Sequence, residues 1–113
     1  MIFSNFFSRR AGADPGEIAH EELAEALKSK SCILVDVREP HEFSAGHVPG
    51  SVNHPLSRFD PHRLPADEKV VLICGAGKRS ASALSRARAA GLAAVRHYPG
   101  GVMGWRRAGG DLG

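Results

Sequence analysis

The chain is poor in everything that would build a disulfide framework, a metal centre or a membrane span. Only two of its 113 residues are cysteine, Cys32 and Cys74, and no Cys-x-x-Cys occurs. A disulfide-stapled fold has no support, and two thiols far apart in sequence point to a reducing compartment, the cytoplasm. The histidines, His20, His41, His47, His54, His62 and His97, include no pair at zinc-ligand spacing, so no metal is expected. No stretch approaches the roughly 20 apolar residues of a membrane-spanning helix. Dense runs of cations are missing too: the net charge is +3, and Lys and Arg are scattered from Arg9 to Arg107. That dispersal argues against nucleic acid as a partner, while the mild positive balance favours a small anionic substrate. Internal repeats and low-complexity tracts are absent.

What is present is enough apolar residue, 42%, for one packed domain. Residues 1–16 read as a leader, apolar at Ile2, Phe3, Phe6 and Phe7 and then charged at Arg9 and Arg10, which is the reverse of a secretory signal. Such a leader packs loosely on the domain or frays, leaving residues 17–113 as the folded unit. Leu23, Ala26 and Leu27 form one face of a helix whose acids come early and lysines late. "CILVDV", Cys32 to Val37, and "VVLI", Val70 to Ile73, are short apolar runs without alternation, the pattern of parallel strands buried on both faces. A brief helical turn ending at Gly46, a very short strand around Val52 and irregular turns near Phe59 lie between them. A helix from about Ser80 to Ala90, a short strand in "AVRHYP" and a last helix carrying Trp105 follow. Strands alternating with helices predict a three-layer α/β domain with a mainly parallel sheet.

In such sheets ligands bind at the carboxyl ends of the strands, where Asp36, Arg38 and Cys74 fall. Cys74 opens the stretch "CGAGKRS" between a strand and a helix. A thiol there feels the positive end of the helix dipole, which lowers its pKa and favours the reactive thiolate. Gly75 and Gly77 let the backbone around Ala76 curl into an anion-binding nest, and Lys78 and Arg79 add positive charge. Ser80 is placed to cap the helix and to offer a hydroxyl to bound sulfur or oxygen. Cys32 has no cationic company and reads as a small buried hydrophobe. A nucleotide-binding P-loop needs Ser or Thr after Gly-Lys, whereas Arg79 follows Gly77–Lys78. A cysteine phosphatase loop is Cys-x5-Arg, one residue longer than the Cys-x4-Arg from Cys74 to Arg79, and the shorter cradle suits a single sulfur atom.

With these features the chain resembles the single-domain rhodaneses, a sulfurtransferase family. The resemblance is carried by "ILVDVREPHEFSAGHVPGSVNHPL", "VVLICGAGKRSASALSRARAAGL" and "YPGGVMGWRRAG" and extends from about Glu17 to Gly110. It implies a sheet of about five short strands, a catalytic cysteine at Cys74, and a persulfide cradle formed by Gly75 to Ser80. His54 and Gly75 depart from the family's usual residues, an aliphatic and a larger polar one. The implied reaction is ping-pong. Thiolate Cys74 takes sulfur from an anionic donor such as thiosulfate and passes it to cyanide or a thiol, a protein thiol included, with no metal or organic cofactor. Lys78 and Arg79 are expected to steer and hold the donor. The alternative is a persulfide carrier that docks on a protein partner and turns over little thiosulfate. Asp36 and Arg38 are expected to hold loops together by a salt bridge, His47 to stabilise a turn, Trp105 to anchor the last helix, and Arg86 and Arg88 to form a solvated face.

Overall fold

The computed structural model describes residues 15–113. Of the leader, only Pro15 and Gly16 fall among them; the rest lies outside the described residues. In chain order the elements are α1 (His20–Lys28), β1 (Ile33–Asp36), α2 (Pro40–Ala45), β2 (Val52–Asn53), 3-10 turns at Leu56–Arg58 and Pro61–Arg63, β3 (Val70–Ile73), α3 (Lys78–Ala89), β4 (Arg96–His97) and α4 (Gly101–Arg107).

The strands form one parallel sheet in the order β2-β1-β3-β4. β1 and β3 lie side by side at its centre, with Ile33 opposite Val70 and Asp36 opposite Ile73. The sheet thus has four strands among the described residues. Glu17 adds a single parallel bridge on the outer side of β4, opposite His97, where a fifth strand would lie.

Because successive strand residues point to opposite faces, the two apolar runs feed two cores. Val35, Val37, Val70, Leu72 and Cys74 pack with Phe59, Leu64, Ala83 and Ala87 on the α3 side. Leu34, Val71 and Ile73 pack with Leu23, Val102 and Trp105 beneath α1 and α4. Burial on both faces explains why β1 and β3 carry no polar alternation. The Trp105 indole N–H, which burial would otherwise leave unpaired, donates to the Asp111 carbonyl at 2.8 Å.

α3 buries small residues, Ser80, Ala83 and Ala87, and packs the half-buried Leu84 against the same core. Arg86 and Arg88 are exposed, as expected of a solvated face, and each also reaches a backbone carbonyl. The Arg86 guanidinium donates to the Phe59 carbonyl at 2.7 Å and sits 5.2 Å from the Phe59 ring centre, and Arg88 donates to the Val95 carbonyl at 2.8 Å. Long stems let these residues tie neighbouring loops to the helix while remaining exposed. No helix among the described residues is long and apolar enough to cross a membrane.

From β1 the chain runs outward to β2, and from β3 it runs the other way to β4. The switch point therefore lies between β1 and β3, and a crevice at the carboxyl ends of these two strands is the favoured ligand position. Asp36 ends one of them and Cys74 follows the other.

Candidate active site

Cys74 follows directly on β3 and is buried. After it the backbone turns sharply at Gly77, whose φ of +104° lies in the left-handed region. A Cβ at Gly77 would overlap the Pro99 carbonyl oxygen, so both the turn and the close approach require glycine. This tight turn starts α3 at Lys78, two residues earlier than expected. Ser80 is consequently not the N-cap; Gly77 is, and Ser80 lies inside the first helical turn.

That displacement puts the Ser80 hydroxyl under the sulfur. Cys74 Sγ lies 3.5 Å from Ser80 Oγ and accepts the Gly77 amide at 3.1 Å. Burial alone pushes the Cys74 thiol up. The Ser80 hydroxyl and the amides of Ser80, Gly77 and Ala76 more than offset it, so the thiol is held below the ordinary cysteine value. At Cys32 burial acts without such donors, and the thiol is pushed up.

The other side of the loop is held by α4. The Val102 amide donates to the Cys74 carbonyl at 2.8 Å and the Met103 amide to the Gly75 carbonyl at 3.1 Å. With their carbonyls so engaged, the loop peptides are fixed in orientation. Gly101, φ +67°, is packed so closely on Gly75 that a Cβ there would overlap the Gly75 carbonyl.

Arg79 has a partner that the sequence does not reveal. Its guanidinium makes two bonds to Glu42 in the first turn of α2, at 2.7 and 3.0 Å. The Arg79 hydrogen bond, against a smaller opposing effect of burial, lowers the Glu42 carboxyl to about 2. Glu42 also accepts the Glu39 amide, closing a capping box at the start of α2. An added side chain at Gly75 would come within 3.2 Å of the Arg79 guanidinium, so glycine there leaves this pair its room. Lys78, the first residue of α3, is exposed.

Asp36 and Arg38 form a buried ion pair, with the Arg38 Nη2 to Asp36 Oδ2 distance 2.8 Å. Arg38 also donates to the Gly46 carbonyl, and Asn53 donates to the carbonyls of both residues, stitching β1 to the α2 loop and β2. His47 stacks on Phe43 with ring centres 3.8 Å apart, and its Nδ1 lies 2.8 Å from the Phe43 carbonyl at the end of α2. His54 Nε2 accepts the Asp60 amide. An open cleft of about 460 Å³ lies against the loop, lined by Gly75, Ala76, Arg79, Glu42, Met103 and Arg106 among others. Depressions beside His54 and beside Cys32, of about 380 and 420 Å³, include no residue of the 74–80 loop.

The Arg79–Glu42 pair gives an acid-dependent prediction. A carboxyl whose folded pKa is depressed stabilises the fold above its unfolded value, here 4.5, and that contribution is lost as pH falls toward about 2. Urea unfolding of the wild type and Glu42→Gln should therefore differ at pH 6 and converge as pH is lowered to 3 and below. A difference independent of pH would mean that the pair is not what Glu42 contributes.

A strand-end cysteine held by amides and a hydroxyl at the switch point of a parallel sheet defines a thiol-based site, and comparison with known proteins identifies the class. Residues 19–108 match the rhodanese-like domain, and the chain belongs to that family. Among particular relatives, it is 40% identical over 94 residues to the uncharacterized protein slr1261 of Synechocystis sp., covering 81% of this chain and 52% of that protein. It is 35% identical over 88 residues to the thiosulfate sulfurtransferase GlpE of Pseudomonas syringae, covering 75% of this chain and 82% of GlpE. The crystal structure of a rhodanese-related protein from Thermoplasma volcanium superposes with a TM-score of 0.75 at 32% identity, over 83% of this chain and 93% of that one. The chain thus spans about half the length of slr1261 and most of the length of the other two.

Proposed function

We propose that the protein is a sulfurtransferase that carries sulfane sulfur as a persulfide on Cys74, working in a reducing compartment such as the cytoplasm. The observation that carries this reading is the environment of Sγ, a buried sulfur facing the Gly77 amide and the Ser80 hydroxyl at the start of α3. The named activity of GlpE supports the reaction class. In the first step the Cys74 thiolate attacks the outer sulfur of thiosulfate. A bond forms between Sγ and that sulfur, the S–S bond of thiosulfate breaks, and sulfite leaves with the electron pair. The terminal sulfur of the persulfide is then held by the loop amides and the positive end of α3. In the second step cyanide or a thiolate attacks the terminal sulfur, the persulfide bond breaks, and the Cys74 thiolate is restored.

Arg79 holds the anionic donor at the cleft while Glu42 fixes the direction of its guanidinium. Arg79→Ala removes the cation and leaves the Glu42 carboxylate facing the donor. The KM for thiosulfate should then rise by roughly tenfold or more. Because part of that loss is repulsion, Arg79→Ala/Glu42→Gln should recover some of it. Equal KM values for the single and double variants would remove Glu42 from the account. The reading as a whole is tested by steady-state formation of thiocyanate from thiosulfate and cyanide. Turnover by the wild type and none by Cys74→Ser supports it. Turnover undiminished in Cys74→Ser would overturn it, and negligible thiosulfate turnover alongside rapid transfer to a protein thiol would select the carrier.

A further inference from the structure

His97, on edge strand β4, is drawn into the site in a way its position in the chain does not announce. Its ring is buried, and Nδ1 lies 2.9 Å from Ser80 Oγ. Ser80 Oγ in turn lies 3.5 Å from Cys74 Sγ and 3.2 Å from the Gly77 carbonyl oxygen. A hydroxyl has one proton and must choose among three neighbours. If His97 Nδ1 is bare, the Ser80 proton goes to the ring or to the carbonyl, and the sulfur meets an oxygen lone pair. If Nδ1 carries the proton, the ring fills a lone pair of Oγ, and the Ser80 proton is left for the carbonyl or the sulfur. A thiolate then outcompetes the neutral carbonyl, because hydrogen bonds to charged acceptors are the stronger ones.

We propose that His97 is a positioning residue that donates from Nδ1 to Ser80 and so turns the Ser80 hydroxyl toward the ionised sulfur of Cys74. Ser80 offers Cys74 its only side-chain donor among the described residues, and the ring behind it decides whether that donor is available. The inference rests on Cys74 as the reacting thiol, but not on the identity of donor or acceptor. Of the charged groups around the loop, Arg79 of α3 is paired with Glu42 of α2 and Asp36 of β1 with Arg38, while Lys78 at the start of α3 is exposed and Arg106 of α4 lines the cleft. Substitution at His97 leaves both pairs in place.

The test is the pH dependence of iodoacetamide alkylation at Cys74, followed on the Cys74 peptide by mass so that Cys32 does not contribute. No sulfur transfer is needed for this readout, so it can fail while the transferase reading stands. His97→Phe should move the midpoint upward by about one pH unit, leaving roughly tenfold less thiolate at any pH well below the wild-type midpoint. Ser80→Ala should do the same, and the double variant should be no worse than Ser80→Ala alone, since the ring acts through the hydroxyl. His97→Asn, whose amide nitrogen stands near the position of Nδ1, should stay close to wild type. His97→Gln, whose amide reaches the Nε2 position instead, should resemble His97→Phe. A folded His97→Phe with the wild-type midpoint overturns the proposal, as does a further rise on adding it to Ser80→Ala. If His97→Phe does not fold, the amide pair decides: a gap between Asn and Gln supports the proposal, and equal midpoints overturn it.

Discussion

Replacing Asp36 by alanine is expected to destabilise the domain by about 3–5 kcal/mol, because it strands the Arg38 guanidinium in the interior. Asp36 is wholly buried, and it accepts both the Arg38 side chain and the Arg38 amide. Among the described residues, the Arg38 guanidinium would keep only its bond to the Gly46 carbonyl as compensation. Against a total stability of about 5–15 kcal/mol for a domain of this kind, the loss is a large fraction. Denaturant unfolding of Asp36→Ala and of the wild type measures it. The same experiment separates two roles for the pair. If Asp36 and Arg38 hold the loops, stability falls first and any remaining folded protein still loads sulfur. A variant of wild-type stability with no sulfur loading would instead make Asp36 part of the substrate site.

Gly77→Ala is expected to reduce persulfide formation by about a hundredfold or more, the scale seen when one donor is lost from an oxyanion hole. Alanine disfavours φ of +104°, and its Cβ would collide with backbone at Pro99 rather than with a flexible side chain. The loop must shift, and the Gly77 amide would leave Cys74 Sγ. Gly91→Ala is the control. It also replaces a positive-φ glycine, φ +90°, but nothing lies within 4 Å of the new Cβ, so sulfur loading should be retained. Single-turnover loading of the two variants compares a shared conformational cost with a collision found only at the loop. Equal losses would mean that close packing at Gly77 does not shape the site.

The fold's frame is legible because burial leaves a strong local mark. "VVLI" has no polar residue, and a four-residue run of that kind between turn residues fits little but a central parallel strand. The order of strand, glycine loop and helix around Cys74 is legible for the same reason. Helix starts are less so: the sequence places Ser80 as a cap, whereas the left-handed turn at Gly77 begins the helix earlier. Long-range side-chain partners are not legible at all. Glu42 lies 37 residues before Arg79, and His97 lies 17 after Ser80. These meetings follow from the sheet order, which brings α2 and β4 to the loop from opposite sides. Glu42 has a local signal, the capping box with Glu39, but it explains a helix start and gives no hint of Arg79. For α4 the doubled glycine before Val102 marks a close approach without naming its target, the carbonyls of Cys74 and Gly75.

Intact mass reads out covalent carriage of sulfur on Cys74. The full chain is mixed with thiosulfate, freed of excess donor and weighed, with Cys74→Ser treated in parallel. A gain of one sulfur atom is expected on the wild type alone, removed on adding cyanide. No gain, or an equal gain on Cys74→Ser, would contradict it.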